Sequence, residues 1–188
     1  MFAEYLNTLN NVNQLSEESR FQLLPHISLK EIAQGNFLLK HGDTCRHIYY
    51  VNKGFIRIFY YKNGKNITEW FGKKKTFFFS ITSYFENIPS KLVIEAVEDS
   101  EIILLSKEGT EKLRRSNIEI ANLMIAFFSL SLILSQQRME SLQFETALQR
   151  YHKLLDEQPD ILNKVPLQYI ASFLGITQET LSRIRAKK

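Results

Sequence analysis

The sequence contains a single cysteine, Cys45, among 188 residues. One thiol cannot close a disulfide within the chain, nor can it supply the four thiolates of an iron–sulfur cluster. Iron–sulfur sensing is therefore excluded, and the composition fits a reducing, cytoplasmic setting. Histidine is also scarce, and the four present show no spacing typical of a haem or metal site: His26, His41, His47 and His152. We predict no metal site and no resident cofactor.

Long hydrophobic runs are also missing. The longest apolar stretch, residues 118–134, is interrupted by Glu119 and Asn122 and is soon followed by Arg138. It is too short and too polar at its flank for a good membrane span, so we predict a buried helix. Residues 1–14 mix Glu and Asn among apolar residues, which is not the pattern of a secretory signal. The sequence thus predicts a protein without membrane association.

The chain carries little excess charge, with a formal net charge of +4. The placement of this charge is more informative than its size, because residues 163–188 hold five basic residues and one acidic residue, Glu179. That segment accounts for the whole excess, and the rest of the chain is balanced. A basic C-terminal segment on an otherwise neutral chain indicates a partner that carries phosphates. A solvated basic tail is the alternative interpretation.

Three regions separate by pattern, and 44% apolar residues are enough to bury a core. Residues 1–20 are predicted to be helical and amphipathic. Residues 26–105 consist of short strand-like runs separated by turns, with the hairpin signal Asn63-Gly64 between two of them. Such spacing is typical of a small barrel or roll. From Ser106 onward the pattern is helical. We therefore predict an α+β fold with a β-roll (jelly roll), a long helix and a C-terminal all-α domain.

The long helix is predicted over residues 117–142, and its apolar residues form two stripes. One stripe follows a coiled-coil spacing: Ile118, Ala121, Ile125, Phe128, Leu132, Ser135, Met139 and Leu142. The second lies beside it: Ile120, Leu123, Phe127, Leu130 and Leu134. A helix that is apolar on two faces needs two partners. We expect the roll to cover one stripe and a second copy of the chain to cover the other, with a dimer interface formed by Ile118, Ala121, Ile125, Phe128, Leu132 and Met139. The alternative is that both stripes belong to the core of one chain.

Residues 165–188 have the pattern of a helix-turn-helix. Pro166 stands where the first helix would begin, Ala171 is small enough for two helices to cross, and Gly175 allows a positive φ in the turn. Thr177 is a plausible N-cap for a second helix. The apolar positions that would hold the pair together are Ile170, Leu174, Ile176, Leu181 and Ile184. A generic helical hairpin is the alternative, but it does not account for the basic residues on the free face.

The free face of the second helix suggests roles in binding double-stranded DNA. Arg183 is the candidate for a bidentate contact with guanine, and Glu179 could accept a hydrogen bond from a cytosine amino group. We expect Arg185, Lys187 and Lys188 to contact phosphates. Thr177, Gln178 and Ser182 could contact either phosphates or base edges.

Together, these parts resemble the catabolite activator / fumarate-nitrate regulator family. The resemblance covers nearly the whole chain and rests on residues 38–43 (LLKHGD), 48–54 (IYYVNKG), 63–65 (NGK) and 176–184 (ITQETLSRI). It implies a roll of the cyclic-nucleotide-binding type, and it places Gln178, Glu179 and Arg183 at the family's base-reading positions. Members usually follow the recognition helix with a β-hairpin wing. Only four residues follow Ile184, so no wing is evident here. We divide the chain into residues 1–116, 117–143 and 144–188.

The family's ligand motif does not carry over. Cyclic-nucleotide binders place Gly-Glu and, further along, Arg-Ser or Arg-Thr around the sugar and cyclic phosphate. The matching positions hold Phe79-Ser80 and Ser90-Lys91, which lack the glycine, the glutamate and the arginine. Where the family contacts the base, the long helix has Ser135 and Gln136, which are equally consistent with a polar layer in the seam. These six residues are the candidate effector pocket, and we predict no tight binding of cyclic AMP. The aromatic segment 77–85 forms either a collapsed core or a site for a more apolar effector.

The predicted function is a homodimeric transcription regulator that is not an enzyme and has no catalytic residues. It would bind a palindromic operator, with an unknown small-molecule effector and RNA polymerase as further candidate partners. A sensor or regulatory module acting on a protein partner is the alternative. A cupin-like enzyme would need clustered metal ligands; His41, Asp43 and His47 lie close in sequence, but no distant histidine and carboxylate complete the set.

Overall fold

The computed structural model describes residues 2–186, and it begins with two short helices packed on the roll. They are α1 (Ala3–Val12) and α2 (Glu17–Leu23), followed by a 3₁₀ turn at Leu24–His26. The Ser16 side chain caps α2 by accepting a hydrogen bond from the Ser19 backbone N–H. Tyr5 and Leu9 of α1 are buried in the main core, so this N-terminal segment is an integral part of the roll.

The roll consists of two four-stranded antiparallel sheets in the orders β1-β8-β3-β6 and β2-β7-β4-β5. The strands are β1 (Ile27–Ile32), β2 (Phe37–Leu39), β3 (His47–Lys53), β4 (Phe55–Lys62), β5 (Lys65–Lys73), β6 (Phe77–Phe78), β7 (Leu92–Ala96) and β8 (Ser100–Ser106). Residues alternate between the inside of the sandwich and its surface, so the main core lies between the sheets. The predicted β-roll is confirmed.

The β4–β5 hairpin turns at Asn63 and Gly64, as the sequence predicted. Both residues have positive φ, 51° and 72°, and Lys62 pairs with Lys65 across the turn. Asparagine tolerates this conformation and glycine adopts it freely, which is why this dipeptide favours a two-residue hairpin. Near this turn, the hairpin contacts the C-terminal helices described below.

Three elements of the roll were not recognised in the sequence as such. β1 and the two-residue β6 lacked a clear alternating pattern, and the aromatic segment 77–85 includes helix α3 (Ile81–Glu86). A further short helix, α4 (Lys107–Leu113), follows β8 and leads to the long helix. Short elements such as these depend on tertiary contacts, because their local propensity is too weak to define them.

The long helix α5 spans Ile118–Phe144, with Asn117 as its N-cap. Ile120, Leu123 and Phe127 of the second stripe are buried against the roll. Within the single chain the helix is buried on one face, as predicted for the stripe that packs on the roll, and 22% of its most apolar window is covered. By length and composition alone, this 27-residue helix is apolar enough to cross a membrane. One face packs on the roll, which accounts for its apolar residues, whereas the apolar residues of the other face lie open along the seam.

The C-terminal part consists of helices α6 (Ala147–Glu157), α7 (Ile161–Lys164), α8 (Leu167–Phe173) and α9 (Gln178–Ala186). Helix α6 starts with a capping box between Thr146 and Gln149. The turn at 158–160 ends α6 where the sequence contains Pro159. A second core cluster joins these helices to three residues of the roll, Phe55, Phe71 and Val97.

Candidate nucleic-acid interface and effector cleft

Helices α8 and α9 form the predicted helix-turn-helix, and the turn between them has a defined geometry. Gly175 has φ +68°, and the Ile176 backbone N–H donates to the Ala171 carbonyl at 3.0 Å. This is the pattern of a helix that ends in a left-handed glycine. The Thr177 hydroxyl then accepts from the Thr180 backbone N–H at 3.2 Å, so Thr177 caps α9. A side chain at position 175 would be strained by the positive φ.

The two helices are fixed by a small apolar core. Ile170, Leu174 and Leu181 are completely buried, and Ala171 is nearly so. Ile176 and Ile184 pack at the edge of the same cluster, which also contains Tyr151 and Leu154 from α6. Because the inward face of α9 is apolar, its polar residues are held on the opposite side, which faces solvent.

This outer face of α9 carries the side chains predicted to contact DNA. Thr177, Gln178, Glu179, Ser182, Arg183 and Arg185 are all exposed, whereas Lys187 and Lys188 lie outside the described residues. Hydrogen bonds from Thr177 and from the backbone lower the pKa of Glu179, with a further contribution from Arg183 and Lys65. Glu179 is therefore ionised and lies near the tip of the β4–β5 hairpin. An exposed helix with mixed hydrogen-bonding and cationic side chains can enter a major groove.

Two arginines connect the helix-turn-helix to the helices before it. Arg150 of α6 donates from Nε and Nη2 to the Leu174 carbonyl at 3.0 and 2.8 Å. Arg138 of α5 donates to the Phe173 carbonyl and lies over the Phe173 ring, 3.9 Å from its centroid. Burial, with the nearby charge of Arg150, lowers the pKa of Arg138 to about 10, so it stays protonated at neutral pH. Both cations stabilise the negative end of α8.

The β4–β5 hairpin forms a second connection, which the sequence did not reveal. The Thr68 backbone N–H donates to Ser172 Oγ at 2.6 Å. Outside the hairpin, Lys164 pairs at 3.2 Å with Glu98, which lies between β7 and β8. Arg57 of β4 contacts α8 at the same junction, and its side chain is fully buried. The only signal in the sequence is its place among the aromatic residues of β4.

Arg57 is held by rings from both parts of the chain. Its guanidinium lies 3.4 Å from the ring centroid of Tyr169 in α8 and 4.3 Å from that of Phe59. Nε donates to Thr68 Oγ1 at 2.9 Å, and Nη1 lies 3.5 Å from Glu95 Oε2. Within residues 2–186, Nη1 and Nη2 have no hydrogen-bond partner, and burial lowers the pKa of Arg57. The Arg57–Tyr169 contact thus buries a positive charge between the roll and α8, and removing this charge from water is unfavourable in free energy.

The residues predicted to form a dimer interface lie on the open side of α5. Ile118, Ile125 and Leu132 are 72%, 64% and 70% exposed, and Met139 is also exposed. Ala121 and Phe128 are half-buried, and Phe128 packs partly on the core of the roll. Large apolar side chains repeated at this spacing and left open to solvent are typical of an association surface.

The six predicted effector residues do not converge on one site. Ser80 and Ser90 are buried with their hydroxyl oxygens 2.9 Å apart, and the Ser90 hydroxyl also bonds the Leu92 backbone. Lys91 and Gln136 are exposed, and Gln136 donates to Glu140. Only Phe79 and Ser135 line a cleft of about 420 Å³ between the roll and α5. The two serines therefore bond each other and do not face this cleft.

In the range 2–186, no three His, Cys, Asp or Glu side chains come together as a potential metal site. His41, Asp43 and His47, which a cupin-like enzyme would have to use, do not form such a group. Asp43 instead accepts from the Lys40 backbone N–H in a turn.

The roll is similar to a known domain family. Residues 29–117 match the cyclic nucleotide-binding domain. A curated relative, the cAMP-dependent protein kinase regulatory subunit of Debaryomyces hansenii, is 21% identical over 120 residues. That match covers 64% of this chain but only 26% of the relative, so the chain spans about a quarter of that protein's length.

Solved structures match over nearly the whole chain. FixK2 from Bradyrhizobium japonicum has a TM-score of 0.72 at 19% identity, covering 86% of this chain and 83% of its own. The Catabolite Activator Protein of Thermus thermophilus has a TM-score of 0.59 at 22% identity, covering 96% and 85%. The c-di-GMP responsive global regulator CLP of Xanthomonas campestris has a TM-score of 0.68 at 16% identity, covering 92% and 91%. At these identities the likeness shows the fold, and it confirms the predicted fold class.

Proposed function

We propose that this chain is a homodimeric transcription regulator that binds palindromic DNA. Its roll matches the cyclic nucleotide-binding domain, and its fold is that of the catabolite activator / fumarate-nitrate regulators, as the sequence predicted. The observation that carries the proposal is the exposed outer face of α9, presented by a well-packed helix-turn-helix. We assign sensing to residues 1–116, dimerisation to 117–143 and DNA binding to 144–188. A reducing, cytoplasmic location and an RNA polymerase contact are part of the same proposal.

Selection of bound DNA from a random pool tests this function directly. A dimer related by a two-fold axis places its recognition helices about 34 Å apart, one turn of DNA, so the selected sites should be palindromes with that half-site spacing. Binding should weaken steeply as salt is raised, because released counterions drive the association. A pool that shows no enrichment at low salt would contradict the proposal.

Changing Arg183→Ala is expected to reduce discrimination between the selected site and random DNA by about 10- to 100-fold. A bidentate arginine–guanine contact contributes about 1–3 kcal/mol to the choice of base. Fluorescence anisotropy with both DNAs at one salt concentration measures the effect. Arg185→Ala is the matched control, since a phosphate contact should weaken binding to both DNAs equally. If Arg183→Ala also lowered both affinities equally, its assignment to a base would be wrong.

Cyclic AMP is not expected to bind tightly, in spite of the domain family. The positions that would hold the sugar and the cyclic phosphate contain Phe79, Ser80 and Ser90, and the two serine hydroxyls bond each other. Phe79 stands where the family has a glycine and Ser90 where it has an arginine, so the phosphate loses the close backbone approach and the guanidinium that hold it in the family. Isothermal titration should detect no binding at micromolar cyclic AMP. A micromolar dissociation constant would overturn this prediction.

A second candidate function is a regulatory module that acts on a protein partner. It is favoured by the match to a protein kinase regulatory subunit, although that match covers only the roll and neighbouring residues. The helix-turn-helix has no role in this alternative. A chain that binds no selected DNA but forms a stable complex with a protein would support it over the first proposal.

A further inference from the structure

The tip of the β4–β5 hairpin, residues 61–66, is an exposed and positively charged turn. All six residues are exposed, and the charged ones among them are Lys62 and Lys65. The sequence contains no acidic residue between Arg57 and Glu69, so no carboxylate of the hairpin itself neutralises the tip. The tip belongs to the roll, to which we assign sensing, and the function proposed above gives it no role.

The two lysines of the tip are arranged unfavourably for the hairpin alone. Lys62 and Lys65 are directly opposite each other in the register of the two strands. Like charges at opposed positions of an antiparallel pair destabilise it. Within residues 2–186 neither lysine forms an ion pair, whereas Lys74 and Lys75 of the next turn both pair with Glu4. An anionic partner would relieve this repulsion, so the lysine pair indicates one.

The tip is attached to the first helix of the helix-turn-helix. The Ser172 hydroxyl of α8 accepts from the Thr68 backbone N–H at 2.6 Å and donates to the Asn66 carbonyl at 3.3 Å. Asn66 is the residue that follows Lys65, so these bonds fix the end of β5 beside α8. In a helix-turn-helix the first helix crosses the DNA backbone while the second enters the major groove. The hairpin tip is therefore held next to the helix that would cross the phosphates.

The tip also lies near the outer face of α9. Hydrogen bonds from Thr177 and from the backbone are the main causes of the lowered pKa of Glu179, and the charges of Arg183 and Lys65 add to them. Glu179 is in the first turn of α9, and the N-terminal residues of a recognition helix are those that reach base edges. The positive surface of α9 thus continues onto the roll at Lys65.

A duplex fits this surface better than a small anion does. Both lysines are flexible, exposed side chains, which act as point charges and do not form a fixed cage around one ligand. A DNA duplex carries one negative charge per about 1.7 Å of its axis, and lysines gain affinity for it by releasing its counterions. Because the tip lies beside α8 and α9, the DNA that these helices would bind is the polyanion closest to it.

We propose that Lys62 and Lys65 of the roll bind phosphates of the DNA whose bases are read by α9. The roll would then contribute directly to the affinity for DNA, in addition to sensing. The inference rests on the function proposed above, and it adds a contact outside residues 144–188. Phosphate contacts carry no sequence information, so this contact should strengthen binding to any DNA.

Replacing Lys62 and Lys65 together with methionine should weaken binding to the selected site and to random DNA equally, by about 10- to 100-fold. The dimer would lose two contacts per subunit, so the slope of log K against log salt should become less steep by about 2–4. Fluorescence anisotropy at several salt concentrations measures both effects. Lys74→Met with Lys75→Met is the matched control, since it removes the same charge from the next turn of the roll. This control should leave the slope unchanged.

A cleavage experiment tests the position of the tip without changing the affinity measurement. Cys45 is the only cysteine of the chain and is fully buried, so a thiol-reactive iron–EDTA group should label Lys65→Cys at position 65 alone. On the selected site, the labelled protein should cleave the DNA backbone at the same distance from the centre of the palindrome in both half-sites. The same group on Lys74→Cys should not cleave there.

The possible outcomes separate this inference from the proposed function. If the Lys62, Lys65 variant bound the selected site with unchanged affinity and salt slope, the inference would be wrong and the proposed function would stand. Cleavage that is absent with the label at position 65, or equal with the labels at positions 65 and 74, would have the same meaning. A chain that selects no DNA would overturn both.

Discussion

Replacing Leu132 with glutamate is expected to convert the proposed dimer into a monomer. Leu132 lies in the middle of the seam and is 70% exposed in the single chain, so the substitution should not destabilise the monomer itself. In a parallel two-fold pair the residue faces its own counterpart. Two carboxylates would then be buried opposite each other, at a cost of about 3 kcal/mol or more. We expect at least a hundredfold rise in the dimer dissociation constant, measured by analytical ultracentrifugation.

Ile133→Glu provides the matched control for this prediction. Ile133 is the neighbouring residue, is 51% exposed, and lies outside the coiled-coil spacing of the seam. It also exchanges an exposed apolar side chain for glutamate, so it has the same effect on charge and solubility. We expect Ile133→Glu to remain dimeric. If both variants stayed dimeric, or if both became monomeric, the seam would not be the interface.

The loss of the dimer should also reduce DNA binding. Two recognition helices bound to one palindrome act together, and a monomer would bind each half-site alone with much lower affinity. Leu132→Glu should therefore bind the selected site weakly although α9 is unchanged. This separates the role of the seam from the role of Arg183, whose substitution leaves the dimer intact.

The helix-turn-helix could be predicted from the sequence because its determinants are local. Gly175 supplies the left-handed turn, Thr177 caps the next helix, and the spacing of Ile170, Leu174 and Leu181 defines the buried face. The Asn63-Gly64 hairpin was predictable for the same reason. In each case the residues that set the backbone conformation lie within a few positions of one another.

Contacts between distant segments could not be predicted in this way. The alternation of β4 puts Phe55, Arg57 and Phe59 on one face, but nothing in the sequence indicates that α8 covers that face. The effector positions show the same limit. Phe79 and Ser135 line one cleft because α5 packs on the roll at β6, where Phe127 contacts Phe77, whereas Ser80 is buried and bonds Ser90.

Replacing Glu95 with leucine is expected to lower the free energy of unfolding by about 3–5 kcal/mol. Glu95 of β7 lies directly opposite Arg57 of β4, and its carboxylate is the partner of a guanidinium that is fully buried. Without it, the positive charge of Arg57 would remain between Phe59 and Tyr169 with no carboxylate nearby. Urea unfolding followed by circular dichroism measures the change in the free energy of unfolding. The substitution should also weaken the packing of α8 on the hairpin.

Two further variants decide whether the buried charge is the cause. Glu98→Leu removes the other carboxylate at this junction, but Glu98 and Lys164 are both well exposed, so its loss should cost less than about 1 kcal/mol. The double substitution Arg57→Met with Glu95→Leu removes both charges and should recover most of the stability, because an apolar pair can replace a buried ion pair. Equal losses from Glu95→Leu and Glu98→Leu, or a double variant less stable than Glu95→Leu alone, would show that Arg57 is held by its rings and by Thr68, and that Glu95 contributes little.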